Sequence, residues 1–313
     1  MAKKINVLVL AGGPSSEREV SLRTGAQVAK ALPKDKYRTE LFIFKTGAER
    51  IPKGFDVAFI GMHGRFGEDG TVQALLEATG LPYTGSGVLA SALAMDKAKA
   101  SALAAAQGIR TPKRIVFTKL PTAKERTAIK IPCVVKPNAS GSSIGVAVVH
   151  RKKDLGPALR RAFREDRTVL VEEYIRGTEL TCGVMGNTGR TPLAVLPPIE
   201  IVPARDFFDY RAKYADARTK EICPARVNAA VRQRVARDAV RAHAALGCDG
   251  LTRADFILDR RGRLYFLEIN TIPGLTETSL LPRIVDRIGM TFPGFLDRQI
   301  ALALEKRRRP RRR

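Results

Sequence analysis

An apolar run at residues 5–11 opens the chain, short and continuous enough for a buried strand. Gly12-Gly13-Pro14-Ser15-Ser16-Glu17-Arg18-Glu19 follows, and Ser16 with Glu19 has capping-box spacing. A helix is expected from there to about residue 32, on Val20, Ala26, Val28, Ala31 and Leu32. Strands at 38–44 and 56–61, a helix at 71–79 and a loop at 82–87 continue an alternation that predicts a parallel sheet. Ala-rich helices fill 88–107. From 114 onward strands dominate, at 114–118, 131–137, 146–149, 168–171, 180–185 and 192–201, with a basic helix at 152–164. The irregular stretch 203–225 is long enough to predict a lid. A helix at 227–246, two strands at 251–259 and 263–270, and helices at 280–288 and 295–306 complete the pattern.

The two strands around Asp259-Arg260-Arg261-Gly262 read as a β-hairpin. A turn tip at Arg260 and Arg261 pairs Asp255 with Phe266 and Arg253 with Glu268. Side chains alternate with a period of two, so Arg253, Asp255, Glu268 and Asn270 are expected on one face. Two carboxylates and an amide oxygen suit a hard divalent cation. An ordinary salt bridge between Arg253 and Glu268 accounts for the same residues, and the hairpin alone does not choose.

Other stretches carry chemistry of their own. Lys136 ends an apolar strand, a place that suits a cation facing an anion. The small-residue loop 138–145 between two strands can fold over phosphates with its backbone N–H groups. Residues 141–145 also fit the nucleophile-elbow pattern, but that motif needs a helix after the serine and 146–149 reads as strand, which argues against a serine hydrolase. The phosphate-loop pattern ending in Gly-Lys-Ser/Thr is absent. Residues 85–90 fit a dinucleotide fingerprint on paper, yet no strand leads into them and no acidic residue follows about 20 positions on. Gly64, Gly67 and Gly70 predict a flexible loop at a strand's carboxyl end, where open α/β sheets bind ligands. Glu17 at its strand-to-helix turn either complements the helix dipole or receives an ammonium group.

Composition narrows these choices. A chain of 313 residues is expected to hold two or three domains, and its 44% hydrophobic content suffices for a sizeable core. No apolar run is long enough to span a bilayer, and no signal peptide is expected. Four scattered cysteines suit a reducing cytoplasm. Three histidines leave little for a histidine-based zinc site, so oxygen ligands and Mg²⁺ remain. The net charge of +24 raises nucleic acid or anionic membrane as a partner. Aromatics at 6%, no tryptophan and no nucleic-acid motif favour instead an Arg-rich surface on a protein that handles anionic substrates.

In sequence order these signals resemble the ATP-grasp enzymes and, among them, the D-alanine–D-alanine ligase family, over residues 5–304. The stretches that carry the resemblance are Ser16-Glu17-Arg18-Glu19-Val20-Ser21, the loop from His63-Gly64-Arg65 to Gly70, residues 82–87, and Met95-Asp96-Lys97. Lys136-Pro137 with Gly141-Ser142-Ser143, Asp209-Tyr210 with Lys213-Tyr214, residues 267–271 and Pro273-Gly274 extend it. The resemblance implies an α/β (α+β), three-domain ATP-grasp fold with an N-terminal Rossmann-like parallel sheet. Its parts would be an N-terminal domain at 1–95, a central subdomain at 96–179, a C-terminal subdomain at 180–305 and a disordered basic tail at 306–313.

It also implies ligation of two D-alanines through a D-alanyl phosphate for peptidoglycan synthesis, with ATP and two Mg²⁺ (or Mn²⁺) ions, by a cytoplasmic homodimer that neither spans a membrane nor binds nucleic acid. Lys97 and Lys136 would meet the ATP phosphates under a loop containing Ser142 and Ser143. Glu172 would lie at the adenine side and Glu179 at the ribose, while Asp255, Glu268 and Asn270 would hold the metal. Arg253 and the Gly274 N–H would stabilise the reacting oxyanion. Glu17 would bind the first D-alanine's ammonium, in a set with Ser142 and Tyr214, and His63 its carboxyl end. Lys213 would reach the transferred phosphate, and Ser279 with the Leu280 N–H the second D-alanine's carboxylate. Glu173-Tyr174 stands where relatives often carry Lys and an aromatic, and Phe208 where some have tyrosine. D-lactate-accepting relatives commonly replace the lid tyrosine by phenylalanine, so Tyr214 favours D-alanine over the alternatives, a D-alanine–D-lactate or other carboxylate–amine ligase.

Overall fold

The computed structural model describes residues 3–141, 144–202, 220–277 and 279–307. The first sheet is parallel, as its alternation with helices predicts. Strand β1 (Ile5–Gly12) lies between β2 (Tyr37–Phe44) and β3 (Val57–Ile60). Val7 to Ala11 are fully buried, which explains why β1 reads as a continuous apolar run rather than an alternating one. Helix α1 (Arg18–Ala31) covers one face. It starts one residue too late for the expected capping box. Glu17 is the N-cap residue and makes no side-chain cap, while the Ser15 hydroxyl accepts from the Glu17 N–H at 3.0 Å. A capping box forms instead between Thr122 and Glu125, ahead of the short α5 (Ala123–Ala128).

Helix α2 (Thr71–Thr79) has the expected ends, and the Ala-rich run divides at Asp96 into α3 (Val88–Met95) and α4 (Lys97–Ala106). The Asp96 carboxylate caps α4 by accepting from the Lys99 N–H. The second sheet is antiparallel, in the order β4 (Arg114–Phe117), β7 (Val169–Glu173), β5 (Cys133–Pro137), β6 (Ala147–Val149), with α6 (Lys152–Glu165) on its back. The third is also antiparallel: β11 (Lys220–Ile222), β10 (Ile199–Val202), β8 (Gly177–Met185), β12 (Leu251–Asp259), β13 (Leu264–Asn270), with β9 (Ala194–Val195) beside β8. The single strand expected over 192–201 is interrupted at Pro197-Pro198, because proline cannot donate to a ladder.

Helices α3, α4 and α7 (Ala229–Ala245) share one core with this third sheet, where Ala90, Ala94, Ala100 and Ala104 meet Phe256 and Phe266. Small side chains let two helices approach strands that carry aromatics. The last helices, α8 (Leu280–Arg287) and α9 (Phe292–Arg307), return to the first sheet, so that Phe295, Leu296 and Ile300 pack with Val7, Val9 and Phe59.

The hairpin register differs from the expected one in two places. The turn has three residues, Arg260-Arg261-Gly262, with Gly262 in the left-handed region, so Leu258 pairs with Leu264 and Phe256 with Phe266. Beyond that pair a β-bulge offsets the strands again, and Asp255 lies opposite Glu268 and Arg253 opposite Asn270. The expected pairings, Asp255 with Phe266 and Arg253 with Glu268, are therefore not formed. Each offset alone would reverse the relation between the two strands' faces; together they restore it. Phe256 and Phe266 meet edge to face in the core, and the four polar residues share the other side.

Gly250 joins the third sheet to the first unit. It is left-handed, and a Cβ there would lie 2.8 Å from Gly85 Cα. Gly262 is equally left-handed but faces open space. Gly262→Ala is expected to cost about 1 kcal/mol of backbone strain. Gly250→Ala adds an overlap with backbone of roughly 1–3 kcal/mol, so urea unfolding should rank it clearly below Gly262→Ala.

Candidate active site

A cavity of about 730 Å³ opens between the second and third sheets, with loops of the first closing one end. From the central sheet, Lys136 at the end of β5 reaches Glu172 on β7 at 2.8 Å, and the Arg114 guanidinium lies 3.5 Å from the same carboxylate. Lys136 and Glu172 are buried, so the pair compensates charge removed from water. Lys97, the first residue of α4, donates to the Ser140 carbonyl at 2.7 Å and lies 3.4 Å from Glu268. The Asn138 side chain accepts from the Ala98 N–H, pinning the phosphate-loop candidate to the start of α4.

From the hairpin, Arg253 holds Asp255 with two hydrogen bonds, at 3.0 and 2.9 Å, and Thr181 donates to the same carboxylate at 2.5 Å. This corrects the salt-bridge reading: the carboxylate that Arg253 clasps belongs to Asp255 on its own strand. Asn270 Oδ1 accepts from the Ile272 N–H at 2.9 Å, which fixes the turn into the Pro273-Gly274 loop. Among the described residues no cluster of three or more His, Cys, Asp or Glu gathers as a metal site. Asp255 and Glu268, directly opposed, with the Asn270 amide form an all-oxygen set that fits Mg²⁺, which commonly takes one or two carboxylates and completes its shell with substrate phosphates and water.

The first unit contributes Glu17, His63 and Glu68. His63 Nδ1 lies 3.1 Å from the Ile272 carbonyl, which can only accept, so Nδ1 carries the proton and Nε2 accepts from the Thr24 hydroxyl at 2.8 Å. Burial, which outweighs the Ile272 bond, takes the His63 pKa down to about 4, and the ring stays neutral. Both ring nitrogens are thus engaged with protein groups, tying α1 to the loop after β13. Glu17 is buried, and the loops around it come close; the Cβ of any other residue at Gly141 would overlap its carboxylate.

Glu68, which the sequence did not single out, is buried beside Glu17 and accepts from the Gly64 N–H at 2.6 Å. Burial and then the neighbouring Glu17 push its pKa up to about 8. The loop expected to be flexible is instead anchored: Asp69 accepts from the N–H groups of Phe66 and Thr71, and Gln73 donates to the Gly67 carbonyl.

Glu179 on β8, Gly274 and Ser279 also line the cavity. Ser279 and Thr276 bond through their hydroxyls at 2.7 Å just ahead of α8, whose first residue is Leu280. The structure therefore brings most of the expected site residues to one cavity. Ser142, Ser143, Lys213 and Tyr214, with Phe208 and Tyr210, lie outside the described residues. Arg114 and Thr181 joined the site without a sequence signal, since only the folded sheet puts them beside Glu172 and Asp255.

Comparison with known proteins points the same way. Residues 103–301 match the family model described as D-ala D-ala ligase C-terminus, and residues 43–86 match D-ala D-ala ligase N-terminus. The D-alanine–D-alanine ligase of Pelotomaculum thermopropionicum is 43% identical over 312 residues, 96% of this chain and 97% of that protein. A crystal structure of D-alanine–D-alanine ligase from Bacillus anthracis complexed with ATP superposes with a TM-score of 0.84 at 34% identity, covering 97% of this chain and 98% of that one. The VanG D-Ala:D-Ser ligase from Enterococcus faecalis gives a TM-score of 0.84 at 32% identity, covering 96% and 100%.

The Glu68 carboxyl sets a pH dependence. Its folded pKa lies above the unfolded value of roughly 4.3, so the native state holds the extra proton and stability falls as pH rises from there to about 8. His63 and His243, both lowered to about 4 by burial, act in the opposite sense, adding stability as pH rises from about 4 to roughly 6.5. Glu68→Gln removes only the first effect. Its melting temperature relative to the parent should climb between about pH 5 and about pH 8; a constant difference would show that Glu68 titrates normally.

Proposed function

The chain belongs to the D-alanine–D-alanine ligase family, and from that premise we propose how its own residues divide the work of an ATP-dependent ligase that joins two D-alanines for peptidoglycan synthesis. The observation that carries the assignment of roles is the convergence of Glu17, Lys97, Lys136, Arg253, Asp255 and Glu268 on one cavity.

A free carboxylate is a poor acyl donor, so the first D-alanine is activated by taking the γ-phosphoryl group of ATP. Lys97 and Lys136 meet the phosphates, under the loop that contains Ser142 and Ser143. Glu172 holds Lys136 in position and bounds the adenine side, and Glu179 accepts from the ribose hydroxyls. Asp255, Glu268 and Asn270 would hold two Mg²⁺ (or Mn²⁺) ions, which supply charge neutralisation at the β- and γ-phosphates. Arg253, oriented by its two hydrogen bonds to Asp255, presents its guanidinium to the acyl phosphate.

Glu17 receives the ammonium of the first D-alanine, in a hydrogen-bonded set with Ser142 and Tyr214. His63, neutral and fixed, shapes the end of the pocket that holds its carboxyl group, and Lys213 reaches the transferred phosphate. The second D-alanine is held by its carboxylate at Ser279 and the Leu280 N–H. Its amine attacks the acyl carbon, the developing oxyanion meets Arg253 and the Gly274 N–H, and phosphate leaves as the peptide bond forms. Most of the acceleration is then positioning and charge stabilisation.

The same reading divides the chain at 95/96 and 179/180 and makes the enzyme a cytoplasmic homodimer; residues 306 and 307, expected in the basic tail, belong instead to α9, where Lys306 donates to the Gly85 carbonyl. Four cysteines that form no disulfide and the need for ATP support the compartment. No helix among the described residues is long and apolar enough to cross a membrane.

ADP release should require D-alanine and be absent with L-alanine. Labelled D-alanine competed against D-serine and D-lactate should give chiefly D-alanyl-D-alanine; no D-alanine-dependent ADP release would refute the assignment. Asp255→Asn should lose Mg²⁺-dependent turnover and stay folded, with a lowered melting temperature because Arg253 loses its carboxylate partner. Arg253→Ala should bind ATP normally in a titration yet turn over about 10²–10³-fold more slowly, as for a lost oxyanion donor. Normal turnover in either variant would remove the mechanism.

A further inference from the structure

A second concavity, of about 540 Å³, lies beside the hairpin turn and shares residues 173–176 with the main cavity. Three separate chain segments supply its cations: Arg110 and Lys113, Arg176, and Arg260, Arg261 and Arg263. Its two carboxylates are already engaged. Asp259 accepts from Arg263 Nε at 2.7 Å and from the N–H groups of Arg261 and Arg263 within the turn. Glu173 accepts from the Lys113 N–H at 2.9 Å. Among the described residues the side chains of Arg110, Lys113, Arg176, Arg260 and Arg261 form no salt bridge, so the positive charge is in surplus. The buried Tyr265 ring also orders two of the cations, with the Arg110 and Arg263 guanidiniums 5.6 and 5.7 Å from its centre.

We propose that this concavity binds a short phosphate chain, a di- or triphosphate, carried either by inorganic polyphosphate or by a second nucleotide. Guanidiniums arriving from several directions suit the many acceptor oxygens of such a chain, which pair with them through charge-assisted, forked hydrogen bonds. A single carboxylate or phosphate would leave most of the volume and charge unused. Because residues 173–176 border both cavities, occupancy is read out at the nucleotide site as a change in the KM for ATP.

The test titrates tripolyphosphate into the full-length enzyme while saturating ADP and Mg²⁺ fill the main cavity. The parent should take up one equivalent. Arg260→Glu/Arg261→Glu should bind at least about tenfold more weakly, since each reversal replaces an attractive charge by a repulsive one. Its D-alanine-dependent turnover without tripolyphosphate should be unchanged, which also shows that it folds, and Lys113→Glu serves as an independent second variant. Arg160→Glu/Arg164→Glu, a control on the exposed face of α6 outside the concavity, should bind within about twofold of the parent, because solvent and salt screen surface charges that make no direct contact. In a titration with ADP alone, a second, weaker equivalent lost in Arg260→Glu/Arg261→Glu would identify a nucleotide as the carrier; its absence alongside tripolyphosphate binding would identify the inorganic chain. Equal weakening in both double variants would reduce the site to general surface charge. No tripolyphosphate uptake with ADP bound, together with no second ADP equivalent, would overturn it as well.

Discussion

Charge taken out of water must find a partner, and that requirement shapes the main cavity more than any other. Lys136 is held by Glu172, Lys97 lies against Glu268, and Arg253 is clasped by Asp255. Without such pairing each group would face a desolvation penalty of several kcal/mol and would tend to neutralise instead. Glu68 shows that outcome: next to Glu17 and buried, it keeps its proton to about pH 8.

The three sheets have different parts in this arrangement. The parallel sheet is buried from Val7 to the end of its central strand, where it hands over Glu17 and the loop after β3. The two antiparallel sheets face each other across the cavity and carry the cations and carboxylates in register. Chain order interleaves them: α4 packs with the third sheet although it precedes the second, and α9 returns to the first. Covalent and packing connections therefore cross every boundary, and the hydroxyl of Ser86, which accepts from the Asp249 N–H at 3.2 Å, is one such crossing.

Much of this was legible in the sequence because it rests on local rules. Apolar runs, glycine turns and helical spacing located most strands and helices to within a few residues, and Lys136 at a strand end announced an anion. The failures are tertiary in origin. Strict alternation cannot reveal a bulge, since Leu267-Glu268-Ile269-Asn270 alternates equally well on either face. Ser16 and Glu19 had the right spacing but the helix began at Arg18, because Glu17 was drawn into the cavity rather than left in the first turn. Glu68 looked like any loop carboxylate; its unusual proton affinity comes from burial beside a residue 51 positions earlier in the chain. The Thr122–Glu125 box, by contrast, rests on local spacing alone and is readable from its residues.

The bulge between Asp255 and Phe256 has a consequence for how this hairpin can change over generations. Its two strands obey a parity rule. Gaining or losing one residue in the turn, or straightening the bulge, turns Glu268 and Asn270 toward Phe256 and delivers phenylalanine to the cavity side. Either event alone destroys both core and chemistry, whereas the two together return each side chain to its place. Insertions and deletions in this hairpin are therefore expected to persist only in compensating pairs, so that its length, not only its composition, is under chemical constraint.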